Sequence, residues 1–302
     1  MKVTHPDRIV FPDDVITKGD VVDYYRLVAG RLLPFIAGRA LTVHRFPKGI
    51  GEQGFMQKNA PDHYPRDLIH RHEVEKAEGG TTVYPVVDSG EAILYFANLG
   101  VITFHVPPVR VEDEAHPDWV IWDLDPPPGE IDLVRQAAAQ MRSFLEGLGI
   151  PTLLMTSGSN GYHLRARLDG SLPVDRVERL ARGTAVLAAA TYEEHLTVAF
   201  RKADRSSRVF VDWMRNNPVA TSVAPWSVRP RPGAPVAAPL GWDELTEVEP
   251  TGVTLTTIGD RLESDPWARA PLLDLAGVAG AVDRALDEVG IELEPFDRFR
   301  SG

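Results

Sequence analysis

The ten residues Trp119-Val-Ile-Trp-Asp-Leu-Asp-Pro-Pro-Pro128 constrain this chain more than any other stretch. Trp119 to Trp122 is an apolar run of strand length. Two carboxylates follow at i and i+2, and strand side chains alternate, so Asp123 and Asp125 leave the strand end on one face. Three prolines then forbid further pairing. Two adjacent acids repel unless something positive lies between them, and a hard divalent cation, Mg²⁺ or Mn²⁺, takes oxygen ligands. An isolated Asp-x-Asp at a strand end is most often solvated surface. A metal reading therefore requires a third ligand and phosphate-binding groups elsewhere in the chain.

The third acid is in Arg208-Val-Phe-Val-Asp212, a strand interrupted by one charge, with Phe210 and Asp212 on the same face. A carboxylate in so apolar a strand is costly unless paired or metal-bound. Between the two acid-bearing strands, Leu133, Val134, Ala137, Ala138, Met141, Leu145 and Leu148 keep helical spacing. Thr152 to Met155 is a second buried strand. Residues 119–156 thus read as a β-α-β unit with its acids at the C-terminal end of the first strand, where ligands gather in such folds. Next comes Thr156-Ser-Gly-Ser-Asn-Gly-Tyr-His163, a turn whose two glycines let backbone N–H groups approach an anion. His163, Arg165 and Arg167 share one face of the following strand, the pattern a triphosphate needs; a solvated hairpin face is the competing reading.

The remaining elements are simpler. Residues 1–14 are polar and loop-like; a helix begins near Ile16–Asp20 and ends at Pro34 and Gly38; Ala40–Phe46 alternates like a strand. Thr82–Val87, Ile93–Asn98 and Val101–Val106 read as strands, the last two a hairpin about a Leu-Gly turn that ends near His105. His63, His70 and His72 sit in polar surroundings and read as an exposed loop. Helices are expected over 174–190 and about 271–289. One domain of 302 residues is expected, with an N-terminal module of about 1–90, a catalytic core of about 91–240 and a C-terminal tail of about 241–302.

Charge sharpens the functional reading. The chain carries a net −11, which by itself argues against nucleic acid. Residues 1–60, however, hold nine Lys and Arg against six Asp and Glu, and residues 201–231 hold seven against two. Screening confines fields to about 10 Å, so a basic stripe on an acidic protein still attracts a polyanion. Basic residues near Phe55 and Met56 suggest a charged groove with an apolar floor for base stacking. There is no cysteine, which excludes disulfides, thiolate nucleophiles and Cys-ligated zinc. No apolar run approaches the roughly 18 residues of a membrane span, and no signal-peptide pattern opens the chain; the expectation is a cytoplasmic, nucleoid-associated protein with no membrane partner.

Three acids on two strands, a Gly/Ser turn and clustered Arg are the requirements of two-metal phosphoryl transfer. The order Asp-Leu-Asp-Pro, Ser-Gly-x-x-Gly-x-His and Val-Asp-aromatic-x-x-Asn also resembles the archaeo-eukaryotic primase superfamily. It is most similar to the polymerase domain of bacterial ATP-dependent DNA ligase D and its stand-alone primase-polymerase relatives. His5-Pro-Asp-Arg8, Ile16-Thr-Lys18, Gly54–Pro61, His116–Trp119, Ala224–Arg229, Gly233–Val236 and Asp265–Trp267 extend the likeness from about residue 5 to 268.

The resemblance implies an α+β fold with a mixed, largely antiparallel sheet flanked by helices, plus the N-terminal module. It implies that Asp123, Asp125 and Asp212 hold two metals. His105, Ser157, Ser159, Asn160, His163, Arg205 and Arg229 would form the nucleotide pocket. Arg8 and Lys18 would grip a downstream DNA 5′-phosphate, and Phe55 with Met56 would stack on template or end bases. The implied activity is template-directed filling of short gaps in DNA repair or end joining, with an NTP substrate and a taste for ribonucleotides. A DNA ligase and a Ku-type end-binding protein are the implied partners, since 302 residues hold no ligase or nuclease domain. Two departures stand out: Asn160 occupies a position that commonly carries Lys, and Met56 one that commonly carries an aromatic. De novo priming, a non-catalytic DNA-end-binding module and a two-metal nuclease are the alternative readings.

Overall fold

The computed structural model describes residues 2–76 and 79–293. The chain opens with a two-stranded antiparallel ribbon, β1 (Ile9–Phe11) and β2 (Ile16–Thr17), where a loop was expected. Helix α1 (Lys18–Ile36) starts on a capping box, in which the Thr17 hydroxyl accepts from the Asp20 N–H and the Asp20 carboxylate accepts from the Thr17 N–H. Its last turn contains Pro34 and the helix stops two residues later, not at the proline. Strands β3 (Thr42–Arg45) and β4 (Phe55–Gln57) follow, then a hairpin of β5 (His70–Glu75) and β6 (Thr81–Val86). His70 and His72 lie on β5, not in a loop, where their rings meet Asp88 and Glu114 at 2.8 Å each.

One element differs outright from the sequence reading. Ile93–Asn98 is not a strand but the end of helix α2 (Gly90–Asn98), so the 93–106 hairpin does not exist. Its aromatic and β-branched composition favours strand, yet Ala92, Ile93, Phe96 and Ala97 are the buried positions, one helical face packed against α1. Ser89 caps the helix by accepting from the Ala92 N–H. Tertiary burial overrides local propensity here. Strand β7 (Val101–Val106) instead pairs with β3 and, on its other side, with β13 (Ser222–Val223), giving a second sheet in the order β13-β7-β3-β4.

The principal sheet contains β8 (Trp119–Asp125), β9 (Leu153–Thr156), β10 (Tyr162–Leu168), β11 (Leu196–Thr197), β12 (Val209–Asp212), β14 (Pro239–Leu240) and β15 (Leu272–Leu273), in the order β11-β12-β8-β10-β9-β14 with β15 beside β10. Most neighbours are antiparallel; β11/β12 and β10/β15 are parallel, so the sheet is mixed and largely antiparallel as the resemblance implied. The helix α3 (Ile131–Gly147) joins β8 to β9, with β10 inserted between those two strands, and α4 (Val174–Thr191) carries the chain from β10 to β11. Helix α5 (Ala276–Glu288) packs against α4, where the expected C-terminal helix was placed. Residues 294–302 of the expected tail lie outside the described residues.

Strand alternation in β8 explains where the site sits. Val120, Trp122 and Leu124 belong to the main core with the α3 and α4 side chains, and the Trp122 Nε1 donates to the Thr184 hydroxyl at 3.1 Å. Trp119 and Ile121 point the other way, into a smaller cluster with Met155, Val223, Ala237 and Trp267. Asp123 and Asp125 continue that second face beyond the cluster. The chain turn after β12 is locked to β8 by Asn216, fully buried, whose Oδ1 accepts from the Ile121 N–H at 2.8 Å and whose Nδ2 donates to the Ile121 and Trp213 carbonyls at 2.7 Å. Replacing Asn216 by Leu removes the side-chain partners of the Ile121 N–H and carbonyl. A loss of ~2–4 kcal/mol in unfolding free energy is expected from urea melts, and an unchanged midpoint would contradict this clamp.

Candidate active site

β12 pairs with β8 so that Asp212 faces Asp123 and Phe210 faces Asp125. Directly opposed residues of an antiparallel pair share a sheet face, which brings all three acids together. Their carboxylate oxygens lie within 4.8 Å of one another. Asp123 and Asp212 are buried and Asp125 is half-buried.

Arg215 occupies the position between them. Its Nη2 lies 2.9 Å from Asp212 Oδ2 and its Nε 3.4 Å from Asp123 Oδ2. Burial alone would depress this guanidinium, but Asp123, Asp212 and Asp125 together hold its pKa above the ordinary value. In the sequence Arg215 is only one of the seven Lys and Arg between residues 201 and 231. It stands three residues after that acid in a 3₁₀ turn (Met214–Asn216), and the fold-back of that turn is what returns it to the triad.

Asp123 and Asp125 titrate in opposite senses. Burial pushes Asp123 up, but His163, its hydrogen bond, Arg215 and Arg229 outweigh burial, and the carboxyl is held below the usual range. Asp125 is pushed up to about 7 by burial and by repulsion from Asp123 and Asp212, with Arg215 and Arg205 only partly offsetting them. His163 lies below its ordinary value because burial exceeds the pull of Asp123. It is therefore a neutral imidazole at pH 7, with Nε2 3.2 Å from Asp123 Oδ1 and a buried Nδ1 that makes no hydrogen bond.

Asp123, Asp125, His163 and Arg215 line one side of a cleft of about 170 Å³, with Asp212 behind them. Its other walls are His105, Ser157, Ser159, Arg229 and Thr221–Val223. The 157–161 turn is held by the Ser157 hydroxyl oxygen, which accepts the Ser159 and Gly161 N–H groups at 3.2 Å each. A Cβ at Gly161 would lie 1.8 Å from the Leu124 carbonyl oxygen, so only glycine lets the turn touch the acid-bearing end of β8. Gly158 has φ +61°, and a Cβ there would meet Arg229 Cγ at 2.6 Å. Arg229 is steered into the cleft by the segment before it: the Tyr24 hydroxyl donates to the Trp226 carbonyl, the Thr103 hydroxyl to the Val228 carbonyl, and the Val228 N–H to the Tyr25 hydroxyl, at 2.7–3.2 Å. The Arg229 Nε is buried and makes no hydrogen bond. Burial first, then Arg229, His44, Arg215 and His163, lower the His105 pKa to about 3, so this imidazole is neutral too.

Some expected residues fall elsewhere. Arg165 does not face the cleft: it is buried, and its Nη2 donates to the Ser222 hydroxyl and the Val223 carbonyl at 3.0 and 2.7 Å, fastening β13 to β10. Arg167 is exposed at the far end of β10. The expected phosphate-facing row on that strand therefore reduces to His163. Asn160 and Arg205 do not line the cleft. The Arg205 guanidinium lies 4.0 Å over the Phe210 ring and donates to the Ala199 and Phe200 carbonyls, and Asn160 is exposed at the tip of the turn.

A second cationic feature lies at the N-terminal ribbon. Lys18 is buried, and its Nζ donates to the Thr4 carbonyl and hydroxyl at 2.6 and 2.8 Å, while the Arg8 Nη1 donates to the Pro47 carbonyl at 2.6 Å. The Lys18 N–H donates to the Arg8 carbonyl at 2.8 Å. Burial, then the neighbouring Arg8 charge, lower the Lys18 pKa. Among the described residues no carboxylate is ion-paired with either cation. Phe55 and Met56 sit on β4, 46% and 47% exposed, with the Arg45 guanidinium 5.4 Å from the Phe55 ring centroid.

A mixed sheet thus gathers three acids next to a Gly/Ser turn and converging arginines, the arrangement that the primase-polymerase resemblance led one to expect. The family profile described as LigD, primase-polymerase domain, matches residues 17–292, and the chain belongs to that family. It is 32% identical over 275 residues to the multifunctional non-homologous end joining protein LigD of Mycolicibacterium smegmatis, covering 90% of this chain and 36% of the relative. The bifunctional LigD of Bacillus subtilis is 28% identical over 266 residues, 87% of this chain and 42% of that protein. The chain thus spans well under half the length of these curated relatives. Among solved structures, the polymerase domain of Mycobacterium tuberculosis Ligase D, in complex with DNA, superposes with a TM-score of 0.81 at 30% identity, covering 93% of this chain and 98% of that one.

The acids generate a pH expectation. With no cation bound, Asp125 keeps its proton longer in the folded than in the unfolded chain. That contribution favours folding below about pH 4 and is lost as pH rises to about 7. A divalent cation binds the ionised carboxyl, so its affinity rises with pH through about 7 and then flattens. Titration calorimetry with Mn²⁺ is expected to show binding about tenfold tighter at pH 8 than at pH 6, with proton release at the lower pH; equal affinities would contradict the assigned state of Asp125.

Proposed function

We propose that this protein is a template-directed polymerase that fills short gaps in DNA during repair or end joining, taking nucleoside triphosphates and recognising a downstream 5′-phosphate. The observation that carries the reading is the convergence of one carboxylate oxygen each from Asp123, Asp125 and Asp212 within 4.8 Å, with Asp123 and Asp125 lining a cleft whose other walls include Arg229, Ser157 and Ser159. An all-oxygen donor set suits a hard cation, and mutual repulsion of the acids supplies the demand for one. Two Mn²⁺ or Mg²⁺ ions held by the three acids would supply activation of the primer 3′-OH and stabilisation of the departing pyrophosphate.

The chain's own groups have the following work in that reaction. Arg229, whose Cγ packs against Gly158 and whose buried Nε makes no hydrogen bond, and the Ser157 hydroxyl bind the triphosphate. His105 and His163 are neutral, so they orient by hydrogen bonding without adding charge; His163 fixes Asp123 in one rotamer. Arg205 stays beside Asp125 and tempers its charge. Arg215 neutralises the triad in the resting protein and must give ground as cations bind. Residues 1–302 form one domain in this reading: the module of about 1–90 grips DNA, the core of about 91–240 does the chemistry, and within the tail of about 241–302 helix α5 buttresses α4. Arg8 and Lys18, two adjacent cations without acidic partners, form the 5′-phosphate seat, and Phe55 with Met56 offers an exposed apolar platform for a base. A ligase and a Ku-type end-binding protein are the partners such a reaction requires, in a cytoplasmic, nucleoid-associated setting. Among the described residues no helix is long and apolar enough to cross a membrane.

Primer extension on a short-gap duplex tests this. Asp212→Ala is expected to lower incorporation at least ~10²-fold, the scale of several kcal/mol of lost transition-state stabilisation. Activity within a few-fold of the parent would end the polymerase assignment. A downstream 5′-phosphate is expected to improve extension by the parent, and Arg8→Ala with Lys18→Ala to reduce that advantage about tenfold while leaving extension of an open-ended template unchanged. A phosphate advantage that survives both substitutions would remove the Arg8/Lys18 seat and leave the polymerase intact.

A further inference from the structure

We propose that Arg231 is a second polyphosphate-binding cation of the nucleotide cleft, and that Asn160 holds it there in place of the charge the Gly/Ser turn lacks. The inference deepens the polymerase reading and rests on it. The turn presents an amide at residue 160, where a lysine would place an ammonium. The Arg231 Nη1 donates to the Asn160 Oδ1 at 3.2 Å, so a guanidinium from a different segment is brought to the tip of the turn. Arg231 lies two residues beyond Arg229, whose side chain packs over Gly158 of the turn. The two arginines are close enough that the Arg231 charge contributes, after burial, to lowering the Arg229 pKa. Arg229 lines the cleft and faces Asp123 and Asp125, whereas Arg231 stands just outside its walls, beside Asn160, with no acid of its own among the described residues.

The loop that carries Arg231 is fastened at several points. The Arg231 N–H donates to the Arg229 carbonyl at 2.9 Å, and the Ala234 N–H donates to the Arg231 carbonyl at 3.0 Å. The Gly233 N–H donates to Asp14 Oδ2 at 2.7 Å. These bonds hold the backbone, and the Asn160 contact holds the side chain. Asn160 accepts one of the five guanidinium N–H groups, which leaves the others for phosphate oxygens. Among the described residues Arg231 has no carboxylate within ion-pair distance, and both it and Asn160 are exposed, so neither contact is needed to fill the core.

The test separates nucleotide binding from incorporation. Affinity for ATP with Mn²⁺ is measured by calorimetry on the whole chain, and KM and kcat are measured by gap filling, for the parent, Arg231→Ala, Arg231→Lys and the double variant Asn160→Lys with Arg231→Ala. Arg231→Ala is expected to raise the Kd and the KM about five- to tenfold, the scale of one charge-assisted contact at a partly exposed site, with kcat within about twofold. Arg231→Lys is expected to lose less. The double variant, which returns a cation to the turn itself, is expected to recover most of the loss; a merely structural role for Arg231 predicts no such recovery. An Arg231→Ala protein with parental affinity overturns the proposal, as does a double variant no better than the single. A parent that binds ATP but extends no primer would sink the polymerase reading while the Arg231 comparison still decides this one; a parent that binds no nucleotide overturns both.

Discussion

Mutual repulsion among three carboxylates on one sheet face is the constraint around which this structure is built. In a low-dielectric setting such a cluster is tolerated only with compensating charge. Here the compensation is graded: Arg215 bridges two of the acids, His163 donates to one, and Asp125 is left to carry a proton. The Asn216 clamp matters because it determines where Arg215 can be. The pairing of β12 against β8 matters because a one-residue slip would send Asp212 to the core face and dissolve the cluster.

Around that floor the fold supplies walls from distant parts of the chain. The second sheet contributes His105 and Val223, the 157–161 turn contributes Ser157 and Ser159, and a segment pinned by α1 contributes Arg229. Arg165, buried between the two sheets, sits at the seam between these contributions. It holds the wall, and does not touch the cleft. A residue type suited to phosphate has here been used for architecture, which burial decides and residue type does not.

The same distinction explains what could be read from the sequence. The acids were legible because strand alternation is a strict period of two, and a charge that breaks an apolar strand announces itself. The Gly/Ser turn was legible because two glycines within four residues have few other uses. Arg215 was not, because its role comes from a 3₁₀ turn folding back, and no periodicity signals that. Arg165 was assigned to the wrong wall because alternation gives a face but not what covers it. Helix α2 was missed because its aromatic composition argues for strand, while its buried positions, 92, 93, 96 and 97, follow helical spacing once α1 is there to cover them. The resemblance brought Arg8 and Lys18 together; their adjacency depends on the β1/β2 ribbon, which the polar N-terminal sequence does not advertise.

The contact of Gly161 with the Leu124 carbonyl has a consequence for how such a site can change. The distance between the Gly/Ser turn and the acids is set by two backbones in contact, not by any side chain. It works as a ruler of fixed length. Side chains around the ruler carry no such constraint, because charge can be supplied from a neighbouring segment, as Arg231 reaches Asn160, without altering the spacing. Residue 161 has no such freedom, since any Cβ there would lengthen the ruler itself. Variation in this pocket is therefore expected to redistribute cations along its rim while leaving the separation between phosphate and acid untouched.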